Sequence, residues 1–441
     1  MSKIARGEHQ PFDIINNYRV IKLIGRGGFA DIYFVRDMKT NAPCAMKIER
    51  REKFDSKSGK SDSRVDVEYA FVRQLQSSLY FPHLYDCGIY QNLRFIVMEI
   101  LGPSLFKLAR SLPGAKLSLS TALRVGVESV CILHELHCRG LIHRDVKPEN
   151  FLIRPGSPTP LCLCDFGLAT RTKSENSNKS REFIGTIKYA SIFAMKGQLI
   201  GPRDDMISWI YSMIELITGT LPWSHILSNT ISNYNPNTDG NNSDDRNMNL
   251  NDEMIRKIRN SNKEAVCRMK EKITPDELCA RVPIQFIDIY KSLIDLEFDQ
   301  LPDYDFIVLS LSNALRDAGA RETDPFDWES LSEDAAYQIS PIPLDREAPS
   351  FSPSLTHATQ VLPKGFDQNI DEKSSKTEDV GNKNSEVAAG VSSNVHTKGK
   401  RVLEDTALLV AAGDDMEENI DGMIGMFGQV RRKVCRCCSI C

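Results

Sequence analysis

The stretch Leu141–Asn150, which reads L-I-H-R-D-V-K-P-E-N, decides how the rest of the chain is interpreted. It places two carboxylates, three basic side chains and an amide behind an apolar pair. Asp145 can accept the proton of an attacking hydroxyl, Lys147 can reach a γ-phosphate, and Asn150 can hold a metal ion. The alternative is a solvated turn whose charges occur by chance. This alternative is less favoured if the other residues of a phosphoryl-transfer site occur elsewhere in the chain. The stretch therefore predicts a phosphoryl-transfer site with these three catalytic residues.

Length and composition set the broad class of the protein. The chain has 441 residues, enough for two or three domains, and its hydrophobic content of 41% can supply a buried core. The formal net charge of -4 gives no basic excess, so we expect no nucleic-acid partner. The sequence has no run of about 18 apolar residues, so we expect no transmembrane helix. Its first residues include no continuous apolar segment, so we expect no secretory signal. Eight of the twelve cysteines are scattered and typical of reduced thiols, so we expect a cytoplasmic protein, with a nuclear location left open. We also expect a monomer.

A glycine-rich turn near the N-terminus predicts a phosphate-binding hairpin. Tyr18–Ile24 has the pattern of a strand, the turn G-R-G-G-F-A-D follows, and Ile32–Val35 is rich in β-formers. Glycines let the backbone approach an anion closely. A strand after the turn argues against a dinucleotide-binding unit, which needs a helix there. The residues predicted to contact a nucleotide are Ile24, Gly25, Arg26, Gly27, Gly28, Phe29, Ala30, Asp31 and Ile32.

A lysine and a glutamate are predicted to form an ion pair beside this hairpin. Lys47 lies near the end of the apolar run Pro43–Ile48, where a charge is unusual unless it is paired. Glu68 is the best partner, because apolar residues flank it at helical spacing between Val65 and Leu75. Taken alone, each charge is more often a surface residue. Together with the glycine turn, they predict a lysine that contacts the α- and β-phosphates of a nucleotide.

A second apolar strand predicts the base-binding edge of the pocket. Phe95–Leu101 ends in a Gly-Pro break, so the backbone near Glu99 and Leu101 can bind adenine, with Met98 at the back of the pocket. A plain core strand is the alternative, which this stretch alone does not exclude.

A short hairpin after the opening stretch predicts a metal site. Phe151–Ile153 and Leu161–Cys164 are two apolar segments, and the second ends at Asp165. Pairing of these segments would bring Asp165 near Asn150. A carboxylate and an amide oxygen suit Mg²⁺, which prefers hard oxygen ligands. We therefore predict Asn150 and Asp165 as metal ligands.

Together these motifs resemble the eukaryotic protein kinases and, within them, the casein kinase 1 superfamily with its tau-tubulin kinase-like branch. Four segments resemble that group: Met98–Leu105, Gly185–Ile192, Arg203–Asp205 with an apolar helix and then Leu221–Trp223, and Leu301–Tyr304. The resemblance implies an α+β, bilobal protein-kinase fold. Its N-lobe has an antiparallel sheet plus one helix, its C-lobe is mainly helical, and a disordered C-terminal tail follows. ATP and Mg²⁺ are the implied cofactors, and protein Ser/Thr hydroxyls the implied substrates.

The implied domain organisation follows the resemblance and the composition. Residues 1–17 are expected to be an N-terminal extension and residues 18–315 the kinase domain, with an N-lobe at about 18–100 and a C-lobe at about 104–315. An Asn-rich stretch at about 229–251 predicts a disordered insertion. Residues 316–430 are expected to be a disordered tail, although Phe326 and Trp328 are candidates to pack back on the domain. Residues 431–441 form a basic, cysteine-rich terminus.

Two departures from the family and one basic position concern substrate docking. Phe193 stands where relatives typically have Asn, and Ile210 where they often have Gly. Lys188 matches a basic position with which relatives favour acidic or primed substrates, and Arg171, Lys173 and Lys179 lie upstream of it. The alternative is a solvated basic loop. Acidic-substrate preference is therefore a hypothesis at this stage.

The C-terminal cysteines permit several interpretations. Cys435, Cys437, Cys438 and Cys441 lie beside basic residues. One or two lipids on these thiols, helped by the basic patch, would anchor the chain to an anionic membrane. An unmodified reduced tail and a metal or redox site are the alternatives, although the spacing is tight for zinc.

The leading functional hypothesis is an active serine/threonine kinase of the casein kinase 1 type. Lys147, two residues after Asp145, resembles the serine/threonine form of this loop. The rival is a pseudokinase scaffold that binds partners without catalysis, but a scaffold would not need the complete catalytic set. A membrane-tethering role is compatible with the first hypothesis.

Overall fold

The computed structural model describes residues 14–49, 63–91, 93–154, 157, 160–172, 183–232 and 245–330. Among these residues, no helix combines the length and the apolar character needed to cross a lipid bilayer. The chain forms a sheet-rich N-lobe followed by a helical C-lobe, which confirms the predicted fold class.

The N-lobe is a six-stranded antiparallel sheet with one helix. Its strands are β1 (Ile14–Ile15), β2 (Tyr18–Arg26), β3 (Ala30–Asp37), β4 (Pro43–Glu49), β5 (Leu84–Tyr90) and β6 (Leu93–Glu99), and their order in the sheet is β1-β2-β3-β4-β6-β5. Helix α1 (Arg64–Gln74) begins after Ser63, whose hydroxyl caps the helix by accepting a hydrogen bond from the backbone of Asp66 at 3.3 Å.

Alternation along the strands builds the core on one face of this sheet. Val20, Tyr33, Met46 and Val97 are at most 3% exposed and belong to one buried apolar cluster. Because side chains of a strand alternate between faces, the residues between them point to the other face of the sheet. In β4 this alternation leaves Lys47, next to buried Met46, facing α1 and the C-lobe rather than the apolar cluster.

The C-lobe consists of nine α-helices and two short two-stranded antiparallel sheets among the described residues. The helices are α2 (Leu105–Ser111), α3 (Leu119–Cys138), α4 (Ile192–Met195), α5 (Pro202–Thr218), α6 (Ser224–Ser232), α7 (Asp245–Lys272), α8 (Pro275–Leu278), α9 (Gln285–Ile294) and α10 (Tyr304–Asp317). The strands are β7 (Leu141–Ile142), which pairs with β10 (Thr170–Arg171), and β8 (Phe151–Ile153), which pairs with β9 (Leu161–Leu163).

Two helices position the loop that follows β7. Helix α3 is capped by Ser118, whose hydroxyl accepts a hydrogen bond from the backbone N–H of Thr121 at 3.2 Å, and it leads the chain to that loop. Helix α5 is buried along its whole circumference from Pro202 to Leu216, which is typical of a helix in the centre of a lobe. Its Gly219 ends the helix with a φ of 83°, a left-handed conformation that glycine adopts at little cost.

Three predicted boundaries need correction. The predicted extension 1–17 is partly sheet, because β1 pairs with β2 and Ile15 is fully buried. The predicted disordered insertion 229–251 is too wide, because its first residues continue α6 and its last residues begin α7; only 233–244 lies outside the described residues. In the first case, pairing with β2 turns two apolar residues of the predicted extension into a strand.

The predicted tail boundary at 316 is also too early. Helix α10 ends at Asp317, and residues 318–330 are described as part of the same lobe. Arg124 of α3 donates hydrogen bonds to the carbonyls of Asp324 and Pro325, and its guanidinium lies 4.1 Å from the ring centre of Phe326. The rings of Phe326 and Trp328 stack at 4.4 Å. The rest of the predicted tail, including the terminal cysteines, lies outside the described residues.

Candidate active site

A cleft of about 810 Å³ separates the N-lobe sheet from the C-lobe. Its walls carry the predicted nucleotide-contacting residues except two: Arg26 and Asp31 face each other across the β2–β3 hairpin and are not part of its lining. The predicted catalytic and metal-ligating residues line the same cleft, and they are Asp145, Lys147, Asn150 and Asp165.

Lys47 lies between two carboxylates at the back of the cleft. Its Nζ is 2.5 Å from Glu68 Oε2 and 2.7 Å from Asp165 Oδ1. Burial alone lowers the pKa of Lys47, but Asp165 and Glu68 together raise it above its usual range. The pKa of Asp165 falls to about 2, mainly because the Lys47 ammonium favours the ionised carboxylate. Burial raises the pKa of Glu68, and Lys47 opposes that rise.

Asp145 is held by two donors that contact different oxygens. Lys147 Nζ lies 2.5 Å from Asp145 Oδ2, and Thr186 Oγ1 donates to Asp145 Oδ1 at 2.7 Å. Lys147 also donates to Thr186 Oγ1 at 3.1 Å, which closes a triangle of three side chains. Each carboxylate oxygen can accept more than one hydrogen bond, so Asp145 retains capacity for an incoming hydroxyl.

The backbone of the same loop is fixed by a buried carboxylate from α5. Asp205 is 1% exposed, and it accepts hydrogen bonds from the backbone N–H groups of His143 at 2.6 Å and Arg144 at 2.9 Å. His137 of α3 contacts the same carboxylate at 3.0 Å and the hydroxyl of Tyr304 at 2.6 Å. Three helices therefore determine where Asp145 lies.

Two residues of the site adopt left-handed backbone conformations. Arg144 has a φ of 67° and Asp165 a φ of 69°, conformations that cost a non-glycine residue about 1–3 kcal/mol and are common at functional sites. Contacts compensate for this cost. The Arg144 guanidinium donates to the carbonyl of Leu168, and His143 Nε2 is 3.0 Å from the carbonyl of Cys164.

The strand that the sequence predicted as the base-binding edge runs along one side of the cleft. Met98, Glu99 and Leu101 line it with their neighbours. The Glu99 carboxylate does not point to a ligand, because it forms two hydrogen bonds of 2.8 Å with the guanidinium of Arg154 at the end of β8. This pair, with Arg154 buried and Glu99 partly buried, ties the connection between the lobes to the C-lobe.

The glycine turn covers the cleft from the N-lobe side. Gly27 N–H donates to the carbonyl of Ala30 at 2.9 Å, which closes the turn. Ala30 opens β3 in an extended conformation, so alanine fits there without strain. Phe29 lies over Arg64 of α1, with 3.5 Å between the guanidinium carbon and the ring centre.

The donor set beside Asp145 fits a hard divalent cation. Among the described residues, no group of three His, Cys, Asp or Glu side chains could hold a metal by itself. Asn150 donates its amide N–H to the carbonyl of Asp145 at 2.8 Å, which leaves its amide oxygen for a ligand. With the ionised carboxylate of Asp165, this gives two oxygen donors, and Mg²⁺ commonly takes its remaining ligands from water and phosphate.

Some residues of the site were missed by sequence reasoning. Thr186 is within the quoted segment Gly185–Ile192, but only its distance to Asp145 reveals its contact. Arg64, Leu152 and Arg259 also line the cleft, and no local pattern marks them.

The positions flagged for substrate docking lie away from the phosphate-binding residues. The ring of Phe193 packs 3.7 Å from the guanidinium carbon of Arg203, and Ile210 is fully buried in α5. The Lys188 ammonium pairs with the Glu215 carboxylate, and Arg171 donates to Gln74 at 2.9 Å. Lys173 and Lys179 lie outside the described residues.

Comparison with known proteins agrees with this geometry. Residues 18–281 match the protein kinase domain family. Over 323 residues the chain is 31% identical to a probable serine/threonine-protein kinase of Dictyostelium discoideum, covering 72% of this chain and 57% of that protein. It is 28% identical to a probable casein kinase I homolog of Encephalitozoon cuniculi, covering 71% of this chain and 94% of that protein. The match spans more than half of the sequence, and the chain belongs to the protein kinase domain family.

Proposed function

We propose that this protein is a serine/threonine protein kinase of the casein kinase 1 type, which transfers the γ-phosphate of ATP to protein hydroxyls. One observation carries the proposal. Asp145, held by Lys147 and Thr186, lines the same cleft as the Lys47–Glu68–Asp165 ion cluster. The chain is similar to a probable serine/threonine-protein kinase and to a probable casein kinase I homolog of two other organisms, and this similarity supports the same reaction.

Each residue has a distinct role in this proposal. Lys47, fixed by Glu68, binds phosphate oxygens, and the backbone near Leu101 binds adenine. Asp145 orients the substrate hydroxyl and accepts its proton, and Lys147 stabilises the charge that develops on the transferred phosphoryl group. Mg²⁺, bound by Asp165 and Asn150, would neutralise charge on the phosphates. Positioning and electrostatics supply most of the rate, since little covalent chemistry is left to the protein.

Transfer of radiolabelled phosphate to an acidic protein tests this function. The wild-type chain is expected to label serine or threonine, while Asp145→Asn and Asp165→Asn are expected to lose transfer. ATP binding should persist in Asp145→Asn, because Asp145 contacts the acceptor rather than the adenine edge. Binding of ATP without transfer by the wild-type chain would contradict the proposal and favour the scaffold alternative.

We also propose a preference for acidic acceptor peptides, carried by Arg259 rather than Lys188. Lys188 is paired with Glu215, whereas Arg259 of α7 is exposed and lines the cleft beside Phe183 and Thr186. A guanidinium there would attract a carboxylate next to the acceptor hydroxyl. Arg259→Ala should raise the KM for an acidic peptide more than for a neutral one. Arg268→Ala, on the exposed side of the same helix, is the matched control. An equal change for both peptides would contradict the preference.

A third proposal concerns the cysteine-rich terminus, residues 431–441. Cys435, Cys437, Cys438 and Cys441 with the adjacent basic residues would carry lipid and anchor an otherwise cytoplasmic chain peripherally to membrane. Cell fractionation of the full chain and of a chain that ends at residue 434 tests it. The full chain should sediment with membranes and the shorter one should stay in the supernatant. If both stay in the supernatant, the anchor does not exist.

A further inference from the structure

Lys270 is the most unusual charged residue of the C-lobe. It belongs to α7 and is 2% exposed. Within the described part of the chain, no carboxylate forms a salt bridge with it. A lysine is rarely buried without a partner, because removing the ammonium from water is costly. Burial lowers the pKa of Lys270 well below its usual range, so the charged form needs specific stabilisation.

That stabilisation comes from three backbone carbonyls of one short segment. Lys270 Nζ lies 3.1 Å from the carbonyl oxygen of Ile187, 3.1 Å from that of Lys188 and 2.7 Å from that of Ala190. An ammonium has three N–H donors, so the three carbonyls match its complete donor set, whereas a neutral amine has only two. The ammonium also lies 4.7 Å from the ring centre of Tyr211 and 4.6 Å from that of Trp223, both favourable cation–π positions.

The segment whose carbonyls bind Lys270, residues 187–190, directly follows Thr186 of the active site. Thr186 donates to Asp145 and accepts from Lys147, and the next residue, Ile187, supplies the first carbonyl to Lys270. Trp223 Nε1 donates to the carbonyl of Lys188 at 2.8 Å, so this oxygen receives two donors. Residues 183–186 line the cleft next to Asp145. A peptide that presents its hydroxyl to Asp145 therefore comes close to residues 183–186, which the backbone of 187–190 continues.

We propose that Lys270 is a positioning residue for the protein substrate: its ammonium fixes the backbone of Ile187–Ala190, and this keeps Thr186 in contact with Asp145. The inference rests on the proposed kinase function and adds a residue from α7 to it. Lys270 touches neither ATP nor the reacting hydroxyl, so its effect on the reaction passes through the backbone conformation of residues 187–190.

A Lys270→Met variant of the full chain separates this role from simple packing. Methionine keeps the length and most of the apolar stem but has no donor, so three buried carbonyls lose a partner. Displacement of a positioning element by about 1 Å can cost about 100-fold in rate. We expect kcat/KM for an acidic serine peptide to fall at least about 10-fold. The KM for ATP should stay within about two-fold, since the Lys47–Glu68–Asp165 cluster does not contact the segment 187–190.

The control is Lys196→Met. Lys196 pairs with Glu271, which is next to Lys270 in the chain, but Lys196 forms none of the hydrogen bonds to the carbonyls of 187–190. The control variant should leave kcat/KM for the peptide and the KM for ATP unchanged. Parallel loss of peptide transfer, ATP binding and thermal stability in Lys270→Met would overturn the inference in favour of a packing role. If Lys270→Met does not fold, Lys270→Gln, which keeps one amide donor group, carries the same measurements.

Failure of the inference is distinguishable from failure of the proposed function. If the wild-type chain transfers phosphate to the peptide and Lys270→Met transfers it equally well, Lys270 has no positioning role. If the wild-type chain binds ATP but transfers nothing, the kinase proposal itself is wrong, and the positioning role falls with it.

Discussion

Thr186 provides the sharpest test of the catalytic arrangement, because one side-chain oxygen contacts both Asp145 and Lys147. Thr186→Val replaces the hydroxyl with a methyl group of similar shape, so the packing of the residue is largely retained. The lost hydrogen bond has a length of 2.7 Å and a carboxylate acceptor. Hydrogen bonds to charged groups contribute about 1.5–3 kcal/mol. About 1.4 kcal/mol corresponds to a factor of ten in rate, so kcat should fall roughly 10- to 100-fold.

Steady-state kinetics with a serine peptide measures this effect. The KM for ATP should change little, because the Lys47–Glu68–Asp165 cluster does not contact Thr186. Thr220→Val, an exposed threonine beyond the end of α5, is the control and should behave as wild type. A Thr186→Val protein with unchanged kcat would refute the reasoning. A rise in the KM for ATP with unchanged kcat would also refute it, since the hydroxyl would then act on nucleotide binding.

Three further predictions follow from the same structure. Replacement of Arg154 by Met should lower the free energy of unfolding by about 1–3 kcal/mol, because the partly buried Glu99 carboxylate loses its guanidinium partner and keeps the backbone N–H of His83; urea denaturation measures this. Lys47 lowers the pKa of Asp165 from 3.8 to about 2, so their attraction contributes fully to stability above about pH 4 and is lost as the pH falls toward 2. The difference in free energy of unfolding between wild type and Asp165→Asn should therefore shrink as the pH is lowered from about 4 to 2. A chain that ends at residue 320 should have a lower melting temperature than one that ends at residue 330, because Arg124 loses its hydrogen bonds to Asp324 and Pro325. Equal melting temperatures would mean that residues 321–330 add no stability.

Local sequence patterns were sufficient for much of the fold and of the site. The glycine turn and the strands on either side predicted the β2–β3 hairpin, and apolar residues at helical spacing around Glu68 predicted α1. These features depend on side chains that are close in sequence, so propensity and periodicity report them directly. The boundaries failed where polar segments pair with distant elements, as residues 318–330 do with Arg124 of α3.

The side-chain network of the site was only partly predictable. Lys47 and Glu68 were predicted as a pair because one strand and one helix carry them in a familiar order. The contact between Lys47 and Asp165 joins residues 118 positions apart, and no local pattern encodes its distance of 2.7 Å. Similarly, Glu99 was predicted from its strand, but the salt bridge that occupies its carboxylate comes from Arg154, 55 residues later.

The sequence by itself determined which chemical groups are present: the Asp145 carboxylate proposed as the base, the Lys47 ammonium proposed to bind phosphate, the two oxygen donors proposed for a metal, and the motifs of the family to which the chain belongs. Such groups recur at fixed local spacings because each is presented by a single loop or strand. Only the tertiary structure decided how these groups are held. The buried Asp205 fixes the loop backbone, Thr186 contacts the base, and Lys270 secures the segment that follows. The physical reason is burial, since an uncompensated charge in the interior is costly and must find partners wherever the folded chain brings them.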